Sequence, residues 1–297
     1  MERGGQMKRS AMQFGNLLCL ILALVLSITV PSLSEEIVLT DVPSYIWHHG
    51  CSPTSGMMAF GYWDAHGYPD LIPGSNDWET NQDSIKNSIA SEGHINDYAL
   101  YEGINDRDWD EPYPDMSTEN PGGAHPDDCL ADFMGTSRSA LGHTYGATWS
   151  TDIDNGLEGY ANYKGYSFAA SYDASPSWET FTREIQFGRP VVMGVDTKGR
   201  GTCNHSVAAI GYRDTNGYHE YACWDTWSHT IKWKRYREAS SSYDWGVCHL
   251  VKLHPTDTWD TAWKVDAGSW NDSSSWDDGI PDSDALIFIP SDSGAII

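Results

Sequence analysis

A chain of 297 residues with 42 Asp and Glu against 18 Lys and Arg carries a formal net charge of −24. Such an acidic balance repels phosphate backbones and anionic membranes, so nucleic acid is excluded as a partner and a well-solvated surface is implied. The length suits one well-buried domain with a smaller appendage.

At the N-terminus Arg3, Lys8 and Arg9 precede an apolar run from Leu17 to Val30 and then the small-residue site Ser32-Leu33-Ser34. This reads as a secretory signal peptide over 1–34, cleaved after Ser34. The run falls short of the roughly 20 residues that span a bilayer. No stable membrane insertion is therefore expected after cleavage, and the product is expected to be secreted, or periplasmic if the cell is Gram-negative. The mature chain keeps Cys51, Cys129, Cys203, Cys223 and Cys248. An odd number in an oxidising compartment leaves at least one thiol unpaired. Two disulfide bonds among Cys129, Cys203, Cys223 and Cys248, in pairs the sequence does not fix, would leave Cys51 free.

In chain order, Val38 to Pro43 is expected to be extended, because Pro43 disfavours helix before it. A helix is expected from Cys51, with Pro53 in its first turn and Met57, Met58, Phe60 and Tyr62 continuing it. Ser55 and Gly56 allow that helix to approach a neighbour closely, and Gly67 and Pro69 end it. Residues 103–128 read as a long acidic loop. Within it Asp106-Arg107-Asp108-Trp109-Asp110 has the alternating carboxylates of a calcium loop. The sixth position lacks glycine and Ser117 stands where an acid is needed at the twelfth, which excludes an EF-hand and leaves a looser calcium site open.

Asp152 is expected to cap a helix carrying Ile153, Leu157 and Tyr160. Ser177 is expected to cap another through Phe181 and Ile185, stopped by Gly188 and Pro190. Strands are expected at 191–195, 205–212, 218–224, 229–236 and 246–252, with Asp214-Thr215-Asn216-Gly217 as a turn. A helical N-terminal half followed by an antiparallel sheet gives an α+β fold. Beyond His254 the composition shifts to Trp, Asp, Ser and Gly. Residues 256–297 read as a short β-rich appendage, with truncation at Ile297 left open.

Chemistry is expected where a thiol, a base and an orienting group converge. A thiol attacks as its thiolate, and a helix N-terminus or a neighbouring imidazolium stabilises that anion. Cys51 starts a helix. His205 opens the apolar strand His205-Ser206-Val207-Ala208-Ala209-Ile210, which fixes an imidazole on a rigid element as the candidate base. Asp225 ends the next strand, and a hairpin through Asn216-Gly217 returns it to His205 as the candidate orienting group.

These residues carry a resemblance. Gly50-Cys51-Ser52-Pro53-Thr54-Ser55, Glu184 to Val191, His205 to Tyr212 and Trp224-Asp225-Thr226-Trp227, in that order, resemble the peptidase C39-like family of the papain-like cysteine peptidases. The resemblance covers 37–254. It implies a papain-like fold, with the Cys helix packed on the sheet that carries His and Asp, and no cofactor or metal. It also implies hydrolysis of a peptide or protein substrate: Cys51 attacks, His205 moves the proton and Asp225 holds the imidazole. Relatives place a Gln about six residues before the cysteine as an oxyanion donor. Here Tyr45 stands there, leaving the Cys51 N–H and one of Trp47, His48 or His49 to serve.

Three rival readings accompany this one. Zinc bound by His48, His49, Cys51, Cys203 and His205 lacks the usual ligand spacing. Transglutaminase-like enzymes share the Cys-His-Asp order. Fourteen Trp in an acidic chain also suit an inactive binding module for carbohydrate or cell-surface ligands, which would tolerate Cys51→Ala. Asn204-His205-Ser206 and Asn271-Asp272-Ser273 match glycosylation sequons; the first would obstruct the site and is read as chance.

Overall fold

The computed structural model describes residues 34–99, 115–119, 125–256, 261–262 and 287–288. The leader up to residue 33, the 106–110 carboxylates and the Asn271 sequon lie outside the described residues, as does most of the 256–297 segment. Within that segment, β8 (Thr261–Ala262) and β9 (Ile287–Phe288) pair in parallel.

The architecture is α+β. Helices α1 (Cys51–Ala65), α2 (Trp78–Ile89), α3 (Leu130–Phe133) and α4 (Ile153–Tyr163) precede most of the strands, and α5 (Trp178–Gln186) interrupts them. The strands are β1 (Ser34–Val38), β2 (Phe168–Asp173), β3 (Val191–Asp196), β4 (His205–Thr215), β5 (Tyr218–Trp224), β6 (Lys232–Arg235) and β7 (Gly246–Pro255). They form a seven-stranded sheet in the order β2-β7-β3-β4-β5-β6, with β1 on the outer half of β4. Every pairing in it is antiparallel.

The apolar run of β4 follows from burial on both sides. Ala208 and Ile210 face the core shared with α1 and α4, whereas Val207 and Ala209 face α5 through Phe181 and Ile185. A strand covered on both faces has no polar alternation to display. Helix α1 is likewise buried almost all round, from Ser52 to Trp63, so it is the central helix of the helical half. A Cβ on Gly56 would come within 3.0 Å of the Leu130 and Leu157 side chains, the close approach expected from its size.

The β4–β5 hairpin turns at Asn216 (φ 56°) and Gly217 (φ 78°), with Thr215 opposite Tyr218. Two successive positive φ values suit the right-handed twist of the flanking strands. Ser177 caps α5 by accepting from the Thr180 N–H at 3.0 Å. Asp152 stands at the start of α4 but makes no capping hydrogen bond. A tight turn over Ser150–Asp152 leads into the helix, and the carboxylate lies 3.7 Å from His143 Nε2. Strands β1 and β2 and helix α2 were not expected.

Candidate active site

Cys51 is the first residue of α1, and its main-chain N–H belongs to the turn that has no partner within the helix. The turn is secured by Thr54, whose Oγ1 donates to the Gly50 carbonyl at 2.7 Å and accepts from the His48 N–H at 3.1 Å. His205 begins β4 and is buried. Cys51 and His205 line the same cleft, and each acts directly on the ionisation of the other.

His205 Nε2 lies 2.9 Å from the main-chain oxygen of Asp225. A carbonyl can only accept, so Nε2 carries the proton and Nδ1 is the nitrogen left for Cys51. Trp227 lies flat on the imidazole, with ring centroids 4.0 Å apart and planes 16° apart, and covers it from one side while remaining 52% exposed itself.

The electrostatics favour an ion pair. Burial alone would raise the Cys51 thiol, but His205 and the Ser206 N–H and hydroxyl more than offset this and hold it below its ordinary range. Burial alone would lower His205, but Cys51 and the Asp225 carbonyl hold it above its ordinary range. Opposite displacements of the two groups are the condition for a thiolate–imidazolium pair.

Asp225 is brought to His205 as the hairpin suggested, through a different atom. Its carboxylate Oδ1 accepts from the N–H groups of Trp227 at 3.0 Å and Ser228 at 2.9 Å, and Oδ2 lies 3.9 Å from Lys232 Nζ. Thr226 (φ 63°) turns the chain immediately after β5. That turn captures the Asp225 side chain and leaves its carbonyl facing the imidazole.

Tyr45 is fully buried and donates to the Asn76 carbonyl at 2.8 Å, so it does not replace the missing Gln. Of the three other candidates Trp47 lines the cleft beside Cys51, fixed by its main-chain N–H, which donates to the Thr226 carbonyl at 2.6 Å. His49 instead pairs with the Tyr145 hydroxyl at 2.9 Å, and burial lowers both His48 and His49 to about 4. The cleft has a volume of about 1040 Å³.

All five cysteines described are free thiols, so the two expected disulfide bonds are absent. Cys129 is buried with its thiol donating to Asp132 Oδ2 at 3.1 Å, Cys223 is buried in the sheet core, and the Cys203 sulfur lies 3.7 Å from the Val195 carbonyl oxygen and 3.8 Å from His249 Nδ1. Their distinct positions explain why they do not form two bridges. The zinc set is not gathered either. Among the described residues, the groups able to hold a metal are His94, Cys129, Asp132 and His125, Asp128, Asp132. Their shared Asp132 already accepts from or pairs with His94, His125, Cys129 and Arg138.

Two contributors received no role from the sequence. Ser206, immediately after the base, reaches both Cys51 and the Ser52 hydroxyl, the latter at 2.9 Å. Trp227 stood in the Asp225 motif, but only the turn at Thr226 folds it over His205. Asn204 is occupied by Thr197, whose N–H and hydroxyl donate to its Oδ1 at 2.9 and 3.1 Å.

A comparison with protein families matches residues 39–248 to the model described as Peptidase_C39 like family. A comparison with curated proteins gave no match.

Proposed function

As this chain belongs to the Peptidase_C39 like family, we propose that it is a cysteine peptidase acting on peptide or protein substrates through Cys51, His205 and Asp225. The placement of Cys51, at the head of a buried helix, in one cleft with His205, where each favours the charged form of the other, carries this reading. The Cys51 thiolate attacks the scissile carbonyl and forms a thioester, while the His205 imidazolium gives its Nδ1 proton to the leaving amine. Water then attacks the thioester, giving a proton to His205 and releasing the acid and the thiolate. Asp225 holds the ring through its carbonyl. The Cys51 N–H and the Trp47 indole N–H donate to the oxyanion; Trp47 is assigned this role because it alone of the three candidates lines the cleft.

The leader supports a secreted or periplasmic location, with a C39-like domain over 37–254 and an appendage over 256–297. No helix among the described residues is long and apolar enough to cross a membrane. The test is to incubate the purified chain with an unfolded protein substrate and read new N-termini by mass spectrometry. Wild type should generate them and Cys51→Ala should not; equal output from the two would end the peptidase reading.

The second reading is a binding cleft without hydrolysis. Trp149 and Trp227, 57% and 52% exposed, both line the cleft, a placement that also serves ligand capture. Ligand binding retained by Cys51→Ala, with no cleavage by wild type, is its signature.

A further inference from the structure

The charge of the cleft is opposite to that of the chain. Acidic residues outnumber basic ones by 42 to 18 over the sequence. Yet no Asp or Glu stands among the described residues that line the cleft, and the Lys and Arg there are Lys198 and Arg200. Elsewhere Arg138, Arg213 and Lys232 each face a carboxylate, and Lys234, Arg235 and Arg237 lie over aromatic rings. Lys198 and Arg200 are exposed and have no ion pair among the described residues.

The segment that carries them is held from beneath. Buried Asp196 accepts from the N–H groups of Lys198 at 3.0 Å, Arg200 at 2.6 Å and Gly201 at 2.6 Å. Gly199 (φ 60°) and Gly201 (φ 76°) permit the tight path, and Asn204 bonds to Thr197 just before His205. The Asp196 carboxylate beneath the segment is therefore spent on the main chain, and both cationic side chains remain available in the cleft.

We infer that the cleft recognises a peptide carboxylate, from an acidic side chain or a free C-terminus, through Lys198 and Arg200. This deepens the peptidase reading and rests on it for the identity of the ligand as a peptide. Long-range repulsion from the acidic surface does not prevent it. Charges are screened beyond about 8 Å at physiological ionic strength, so direct contacts in the cleft decide the preference.

The test uses Cys51→Ala in the full chain, which separates binding from hydrolysis. The probes are eight-residue Ala/Phe peptides with Glu, Gln or Lys walked through each position, each with a free or amidated C-terminus, titrated by calorimetry. Binding should favour either Glu over Gln at particular positions, or the free over the amidated terminus, and the arm that responds identifies the carboxylate. The expected preference is about tenfold for two exposed charge contacts, weakened by added salt and lost in Lys198→Gln/Arg200→Gln. Equal binding of all peptides, no binding of any, or a preference that survives the double substitution would overturn the inference. Wild-type cleavage of the same peptides is scored separately: cleavage without charge preference defeats this inference alone, whereas charge-selective binding without cleavage defeats the peptidase reading alone.

Discussion

His205 is tied to the main chain of Asp225, its Nε2–H meeting the carbonyl oxygen at 2.9 Å, while the carboxylate of the same residue closes the following turn through Trp227 and Ser228. The orienting hydrogen bond is consequently independent of the Asp225 side-chain charge. Replacing a carboxylate that directly orients a catalytic histidine by its amide costs about 10⁴ in kcat. Asp225→Asn, whose Oδ1 can still accept from the turn, should lose no more than about tenfold in kcat on a peptide substrate. Asp225→Ala removes the acceptor that fixes the turn and should lose more. Steady-state kinetics of the two variants distinguish carbonyl from carboxylate orientation.

Trp47 is the second oxyanion donor in this account. Trp47→Phe should reduce kcat by about 100- to 1,000-fold, the cost of one such donor. Alkylation of Cys51 should proceed in this variant, because the thiolate does not depend on the indole. His48→Gln should leave kcat within about threefold, since His48 is not assigned to the oxyanion. Comparing alkylation with turnover separates loss of the donor from collapse of the site.

The Ser206 hydroxyl and N–H both favour the Cys51 thiolate. Ser206→Ala removes the first and retains the second. The midpoint of Cys51 alkylation against pH should then rise by about 1 pH unit, the scale of a charge-assisted hydrogen bond. An unchanged midpoint would assign thiolate stabilisation to His205 and the main chain alone.

Asp132 joins the helical half through His94 at 2.7 Å and Arg138 at 3.3 Å. Burial would raise its carboxyl, but the His94 and Cys129 hydrogen bonds, with the Asp128 N–H, hold it far below the ordinary carboxylate range. A depressed folded-state pKa contributes stability that is present above the unfolded value of about 3.9 and is lost as pH falls through the folded value. Asp132→Ala should cost about 3–5 kcal/mol at pH 7, because it leaves a buried ion pair broken. The difference from wild type should shrink as both are taken to acid. Urea unfolding at pH 7 and at pH 3 measures both effects.

The parts of the fold with local signals were legible in the sequence. Cys51 with Pro53 marked the start of α1, Ser177 the start of α5, and Asn216-Gly217 the hairpin that brings Asp225 to His205. Helix α2 was not: its kink at Asn81 (φ −140°) interrupts the helical geometry, and only Ile85, Ser88 and Ile89 are buried, too short an apolar face to stand out. Strand β1 needs β4 as its partner, a long-range pairing that its own residues do not announce. The choice between the Asp225 carbonyl and carboxylate likewise depends on φ at Thr226, a residue with no intrinsic preference for the left-handed region. Cysteine parity suggested disulfide bonds, but parity says nothing of distance, and Cys129 and Cys223 occupy different cores of the sheet and helices.

The pH profile of iodoacetamide alkylation, followed at each cysteine by peptide mass spectrometry, tests the activated Cys51–His205 pair most directly. The thiolate population at Cys51 falls only as pH drops through its depressed value, so alkylation there should persist well below the free-thiol pKa of about 8.5. Cys129 and Cys223, whose buried thiols are raised, should remain inert in the folded chain, and His205→Ala should move the Cys51 profile toward that of an ordinary thiol. A Cys51 profile centred near 8.5 in wild type and unchanged by His205→Ala would contradict the ion pair and the thiol chemistry built on it.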